Sequence, residues 1–470
     1  MTGVVFIGLP MAINVRDVLR TDAFRALRDA GTEIHLFTPA AGVPEFRAEF
    51  EGPRVHLHPL VSPRSPAFEA TDTLVLKLHV LLLSLRCDTA RIMIEPSLAK
   101  SAWARLVRGT LRALGRTGQD ALLGVTRALT VRTAPELYGD AFRQYRPDLV
   151  VGTRVITMSG PRTHSSPRYL DRHLLMSAAR RGIPTMVLVS SWDNLTTSGF
   201  FPVDVDRITV WNDIMLEQAV GIHGVPRERV VVTGAPQHDV LAHAGPYQER
   251  GVFLRSLGLD PERRVVVYTT GTEGTIGHEP ELVGVIARAL ESELADVQLL
   301  VRLHQLDRMD RYDSLRGRPR VVCDQAGKVP VGGFHDRDFD AAQHERLADT
   351  LRHADVVVNA ASSISIDAAA VGTPVVCVDF DARPGVPYHS SVTRFYDFTH
   401  QRPVVESGGV SRAKSPEALI AAIRRYLDDR TLDADGRARL VREQCRELDG
   451  HAGRRVAEAM LEMLPRGVSR

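Results

Sequence analysis

The sequence predicts an α/β protein of two doubly wound halves, with a helical insertion in the first half and a helical end. Three observations lead there. Short apolar runs alternate with helix-length amphipathic stretches, the alternation recurs as two separate series, and Gly or Gly-Pro steps punctuate it. At 470 residues the chain is too long for one ordinary core. A composition of 44% hydrophobic and 25% charged residues is that of a globular protein.

The elements follow in order. A strand over 4–7 turns at Gly8, a helix over about 15–30 closes at Gly31, and a strand over 33–37 completes a βαβ unit, which implies a parallel sheet. Further strands are expected at 148–151, 185–189, 208–211 and 229–233, with helices over about 170–181 and 215–221. A polar helix and turn over 247–262 precede the second series. That series has strands at 265–269, 297–303, 320–323, 354–359 and 375–378, and helices over about 281–294, 342–352 and 363–371. The tail is helical over 416–427 and 433–464. The expected domains are therefore 1–245, with a helical insertion over about 67–135, then 246–430, then a helical segment over 431–470 that crosses back to the first half.

Bulk properties narrow the function. A formal net charge of +2 gives no electrostatic case for nucleic acid. The four cysteines, Cys87, Cys323, Cys377 and Cys445, are scattered, so neither a disulfide framework nor a cysteine zinc site is expected, and a reducing cytoplasm fits. The chain opens directly on a strand, without the pattern of a signal peptide. The longest apolar run, 74–85, is interrupted by Lys77 and His79 and is too short to span a bilayer.

In doubly wound sheets, ligands lie beyond the carboxyl ends of the strands. The promising residues of the second half sit there. Thr270-Gly271-Thr272 follows one strand, and small residues let a phosphate approach backbone N–H groups. His304 follows another strand, with Arg302 beside it. Ser362 and Ser363 open a helix, where free N–H groups and the helix dipole favour an anion, and Asp367 lies one turn further on. Each residue also has an ordinary reading: a serine cap, a satisfied histidine, a solvated helix carboxylate. Convergence on one edge favours a ligand site. Asp204-Val205-Asp206 precedes its strand and is read as a turn with exposed acids rather than a metal site. The spacing of Gly271, Gly274 and Gly277 does not match a dinucleotide fingerprint.

In the insertion, a helical wheel over 103–116 sets Trp103, Leu106, Val107, Leu111 and Leu114 against Arg105, Arg108, Arg112 and Arg116. That pattern suits an ordinary surface helix packed by its apolar side. It also suits peripheral contact with an anionic membrane.

The segments "SSWDNLTTSG" over 190–199, "VWNDIMLEQAVGIHGVPRERVVVTGAPQHD" over 210–239 and "RPVVESGGV" over 402–410 resemble bacterial surface-carbohydrate transferases of the GT-B fold. That fold has two Rossmann-like domains and a terminal helix packing back on the first. The resemblance extends in pattern to CDP-glycerol glycerophosphotransferases and UDP-N-acetylglucosamine 2-epimerases. It implies a cytoplasmic, nucleotide-sugar-dependent glycosyltransferase of polysaccharide or cell-envelope biosynthesis, acting in the cleft between the domains on a glycan or lipid-linked acceptor.

Carried over by residue, the resemblance puts the donor on Thr270, Gly271, Thr272, Arg302, His304, Ser362, Ser363 and Asp367. Asp367 departs from the glutamate that binds ribose in many relatives, and Gln305 from the proline that often follows the histidine. No metal or other cofactor is expected, because helix dipoles with Arg or His can stabilise the leaving diphosphate. The base for the acceptor hydroxyl is expected in the first half. Asp193 is the first candidate, although an Asx-type turn reads equally from Trp192-Asp193-Asn194. Asp22 and Asp17 come after it, and His304 is the candidate beside the leaving group. Two other chemistries fit the same fold. A CDP-polyol phosphotransferase tends to carry a histidine base in the first half, for which His164 and His173 are available. An epimerase needs no acceptor. A non-catalytic nucleotide or glycan binder is the alternative from outside enzymology.

Overall fold

The structure, a computed structural model, describes residues 3–61, 65–153, 170–328, 334 and 337–465. The chain forms two compact units. One consists of Met1–Gln237 with Val329–Asp338 and His451–Arg470, the other of His238–Lys328 with Phe339–Gly450.

The first unit is built on a parallel sheet of β1 (Val4–Gly8), β2 (Glu33–Thr38), β3 (Val55–Pro59), β4 (Leu149–Gly152), β5 (Thr185–Leu188), β6 (Arg207–Val210) and β7 (Val230–Val232). Their order across the sheet is β3-β2-β1-β4-β5-β6-β7. The second unit carries β8 (Arg264–Thr269), β9 (Val297–Leu303), β10 (Val321–Gln325), β11 (Val356–Asn359), β12 (Val375–Val378) and β13 (Ser411–Ala413), in the order β10-β9-β8-β11-β12-β13. Central strands such as β9 and β11 are buried along their whole length. Burial on both faces is why they read mainly as Val and Leu, with Gln298 and Arg302 the polar exceptions in β9 and Asn359 ending β11.

Several elements differ from expectation, the three-residue strand β13 among them. The first helix is two, Ala12–Leu19 and Asp22–Asp29. Between them Thr21 is extended and its hydroxyl accepts the Ala23 N–H at 3.3 Å, so Thr-Asp caps a new helix instead of continuing the old one. A third strand, β3, precedes the insertion, because His56 and His58 interrupt the apolar run that would have signalled it. The helical end is split into Ala434–Cys445 and Ala452–Leu461, with Gly450 at φ 78 between them. The first packs on the helix Ile364–Ala370 and on the turn after Arg402–Glu406, where a Cβ on Gly436 would lie 2.2 Å from the Gly408 carbonyl. It therefore belongs to the second unit. Only the second packs on Asp22–Asp29, sending Val456, Ala457 and Met460 into the core behind β1. The units divide at 237/238 and 450/451, with 329–338 also counted in the first.

Four helices, Pro66–Leu83, Asp88–Lys100, Ala102–Ala113 and Gly115–Thr133, follow β3, and a shorter one, Gly139–Tyr145, leads into β4. The four close on Leu82, Leu83, Ile94, Leu111 and Leu123. Within Ala102–Ala113 the axis of burial is turned by about a quarter turn from the wheel. Val107 and Leu111 face the core, whereas Trp103 and Leu106 are 56% and 70% exposed. Arg108 is half-buried, whereas Arg105, Arg112 and Arg116 stay exposed, and three of the four bond to the protein surface. Arg105 donates to the carbonyls of Leu98 and Ala99, Arg108 to Ser84, and Arg116 to Asp120 and the Gly221 carbonyl. Among the described residues no helix is long and apolar enough to cross a membrane.

Candidate active site at the carboxyl edge of the second sheet

The order of the second sheet reverses between β8 and β11, and such switch points open a crevice beyond the strand ends. β9, β8 and β11 are neighbours there. At ~4.8 Å per strand they span about 10 Å, the scale of a diphosphate with its flanking groups. Thr270, His304 and Ser362-Ser363 are the first polar residues past these three ends, so the topology gathers them.

Thr270 ties two of the ends together. Its hydroxyl accepts the His304 N–H at 2.9 Å and donates to Asp307 at 3.1 Å. Asp307 is held in turn by the Tyr312 hydroxyl at 2.8 Å and by Arg311. Thr270 is thereby a positioning residue for the His304 backbone. His304 Nδ1 accepts the Leu306 N–H at 3.1 Å. The neutral ring must then carry its proton on Nε2, which makes it a hydrogen-bond donor for an anion.

The serine turn is preorganised from below. Asn359, at the end of β11, accepts the Ser362 N–H at 3.1 Å and bonds Ser365. Ala361 sits at φ 54, a left-handed conformation that turns the chain sharply. The Ser362 hydroxyl accepts the Ile364 N–H at 3.3 Å, while Ser363 makes no side-chain cap bond to the helix. Both serines are only half-buried.

Other expected donor residues are engaged inside the unit. Arg302 is buried, and its guanidinium meets Asp324 of β10 at 2.8 Å, a carboxylate shared with Arg346 at 2.7 Å. The Gly271 N–H, expected to face a phosphate, donates instead to both oxygens of Glu279 at 3.0 and 2.8 Å. Burial pushes that carboxyl up to about 8. Thr272 pairs with Thr275 at 2.8 Å within the same loop. Asp367 is buried, with its carboxylate 2.9 Å from His238 Nε2. Burial disfavours the imidazolium of His238, but Cys445 and the Asp367 carboxylate outweigh it and raise the group above its ordinary value. Neither Glu279 nor His238 was signalled by the sequence, because the partner of His238 lies more than a hundred residues away and that of Glu279 across a loop.

In the first unit, Asp193 follows β5 and heads the short helix Asn194–Thr197. Its carboxylate accepts the Ser191 hydroxyl at 2.5 Å and the Thr197 hydroxyl at 3.1 Å. It orders this turn, and a carboxylate still has lone pairs for a further donor. Asp22 opens the second helix after β1, a helix length from the strand end, and pairs with Arg25. The structure does not bring it to the crevice of its own sheet. Asp17 is buried and bonds Arg16 at 2.6 Å. His173 is buried in the helix Asp171–Arg180, and His164 lies outside the described residues. Asp204 and Asp206 bond Arg229 at 3.1 Å and the Thr185 N–H at 2.8 Å, so both serve the turn before β6.

Two parallel sheets of this order, each with its switch point, define the GT-B fold. The same fold is found in a UDP-N-acetylglucosamine 2-epimerase of Listeria monocytogenes, at TM-score 0.55, 14% identity and coverage of 98% of this chain and 96% of that one. The UDP-GlcNAc 2-epimerase of Neisseria meningitidis, solved bound to UDP-GlcNAc, matches at TM-score 0.53 and 11% identity over 98% and 100% of the two chains. A glycosyltransferase of Rickettsia africae matches at TM-score 0.50 and 10% identity over 99% and 100%. No curated protein sequence matches. The profile of the family described as CDP-glycerol:poly(glycerophosphate) glycerophosphotransferase matches residues 202–462, more than half of the chain. The chain belongs to that family.

Proposed function

We propose that the chain transfers a polyol phosphate of the phosphoglycerol type from a CDP-linked donor to a hydroxyl of a glycan or lipid-linked acceptor. The observation that carries this reading is the family match, which includes the whole of the second unit and its carboxyl edge. Ser362, Ser363 and His304 are the residues assigned to the donor phosphates, and Thr270 holds His304 in place. The acceptor oxygen attacks the distal phosphorus, the bond to the bridging oxygen breaks, and CMP leaves. The Nε2–H of His304 stabilises the charge that develops on the leaving phosphate. No resident metal is assigned to this step.

Sugar transfer is the second reading. It is favoured by Asp193, since the first unit offers a carboxylate after β5 where the polyol family tends to a histidine base, and the family match begins only after it. The two readings expel different products. Attack at phosphorus releases a nucleoside monophosphate, whereas attack at an anomeric carbon releases a nucleoside diphosphate.

The test has two stages. CDP-glycerol and CDP are expected to raise the melting temperature more than UDP, GDP or dTDP do, by mass action on the folded state, with the increment intact in EDTA and lost in His304→Ala. With an acceptor, CMP is the expected product. A nucleoside diphosphate as product would establish sugar transfer instead. Absence of any nucleotide-induced shift would remove the donor assignment. Asp193→Asn preserves the turn geometry, and if Asp193 is the base it lowers kcat about 100-fold or more with little change in donor affinity.

A peripheral contact with the cytoplasmic face of the membrane belongs to this reading, supported by the exposure of Trp103, Leu106 and Leu114, with Arg112 beside them. Trp103→Glu with Leu106→Glu should abolish co-sedimentation with anionic liposomes. Unchanged co-sedimentation would exclude this face.

A further inference from the structure

A cluster of imidazoles in the first unit takes no part in the transfer reaction. β2 and β3 pair in parallel with His35 opposite His56. The two-residue period of a strand then sets Glu33 and His35 of β2, and His56 and His58 of β3, on one face of the sheet. His35 Nε2 lies 3.1 Å from Glu33 Oε1, and His56 Nε2 lies 3.8 Å from the same oxygen. One ligand atom from each of these three residues falls within 4.8 Å of the other two. A tetrahedral zinc ion bound at ~2.0–2.1 Å holds its ligand atoms about 3.3 Å apart. Two edges of the donor triangle, 3.1 and 3.8 Å, are thus close to size, and the third needs a shift of up to about 1.5 Å.

The surroundings complete the requirements of such a site. His35 Nδ1 is 2.9 Å from His58 Nε2, the outer bond that fixes the orientation and tautomer of a ligating imidazole. The Tyr145 ring packs 4.2 Å from His35 and 5.3 Å from His58. The His35 side chain is fully buried, whereas Glu33 and His56 are 38% and 45% exposed. An ion would have a path in, and water could occupy the fourth position.

We propose that Glu33, His35 and His56 form a binding site for a divalent transition-metal ion of the zinc class, with His58 as the residue that orients His35. Without the ion, His35 Nε2–H donates to Glu33 and His35 Nδ1 accepts from His58. With the ion, Nε2 is a ligand, Nδ1–H donates to His58 Nε2, and the His58 proton sits on its own Nδ1. Glu33 begins β2, so the site lies at the amino end of the strands, the opposite edge from the loops that gather ligands. The ion therefore serves as a clip between the edge strand β3 and β2, not as a participant in transfer.

The experiment uses the full chain without an affinity tag, stripped by chelator and then dialysed against micromolar Zn²⁺. About one equivalent should remain bound after desalting, and Co²⁺ in its place should give the intense d–d absorption of a tetrahedral site. His56→Ala and Glu33→Gln alter half-exposed side chains, and each should weaken binding about 10-fold or more. The nucleotide-induced thermal shift should stay unchanged, which separates this site from the donor site. Less than a tenth of an equivalent on the wild-type chain, an octahedral Co²⁺ spectrum, or equal uptake by His56→Ala would overturn the proposal. A failure of the CDP-donor assignment would leave it untouched.

Discussion

Glu279 accepts the Gly271 N–H in a buried setting, and burial raises its carboxyl to about 8 from an ordinary 4.5. Between those values the native protein keeps a proton that the unfolded chain has released. Stability therefore falls as pH rises through that window and levels off above it. His79 and His223 act oppositely. Burial pushes each down to about 3, so the unfolded chain binds protons below about 6.5 that the native state refuses, and stability falls as pH drops. Taken together these three groups put the optimum near pH ~6.5. Urea unfolding of Glu279→Gln should show a shallower loss of stability between pH ~6.5 and ~8 than the wild-type chain does. An identical slope in the variant would mean that Glu279 is not the group responsible.

Helix Ala452–Leu461 approaches helix Asp22–Asp29 closely at Gly453, where a Cβ would meet Thr21 at 3.0 Å and the Ala23 nitrogen at 3.1 Å. Backbone cannot yield as a flexible side chain can. Gly453→Ala should therefore cost about 1–3 kcal/mol by overpacking, read as a lower denaturation midpoint. Met460→Ala, which opens a fully buried site, should cost about 2–5 kcal/mol. Legibility in the sequence followed burial. β8, β9, β11 and β12 were plain because both of their faces are covered, and small polar residues directly after them made Thr270, His304 and Ser362 visible as strand-end positions. β3 and β13 were missed because an edge strand with alternating histidines, or one only three residues long, has no apolar run. The pairs Arg302–Asp324 and His238–Asp367 were illegible for another reason. Whether a polar side chain faces a ligand or a buried partner is decided by which strand or helix becomes its neighbour, and spacing along the chain does not carry that. The same holds for His35 and His56, which stand opposite each other only through strand register.

At the scale of the molecule, the first unit is assembled from distant parts of the chain, whereas the second is nearly continuous. Val456, Ala457, Met460 and Leu464 belong to the same core as Val5, Ile7 and Leu27. A chain ending at Gly450 should hence keep a protease-resistant second unit while the first is digested, and fragments of equal lifetime from both units would contradict this. The arrangement also sets an order of events on the ribosome. The strands of the first unit emerge early, yet the helix that covers one of their faces is made only after the whole of the second unit. At ~5–20 residues per second that interval is roughly 10–40 s. Throughout it a nascent apolar surface stays uncovered, and holding it safe falls to the cell's chaperones.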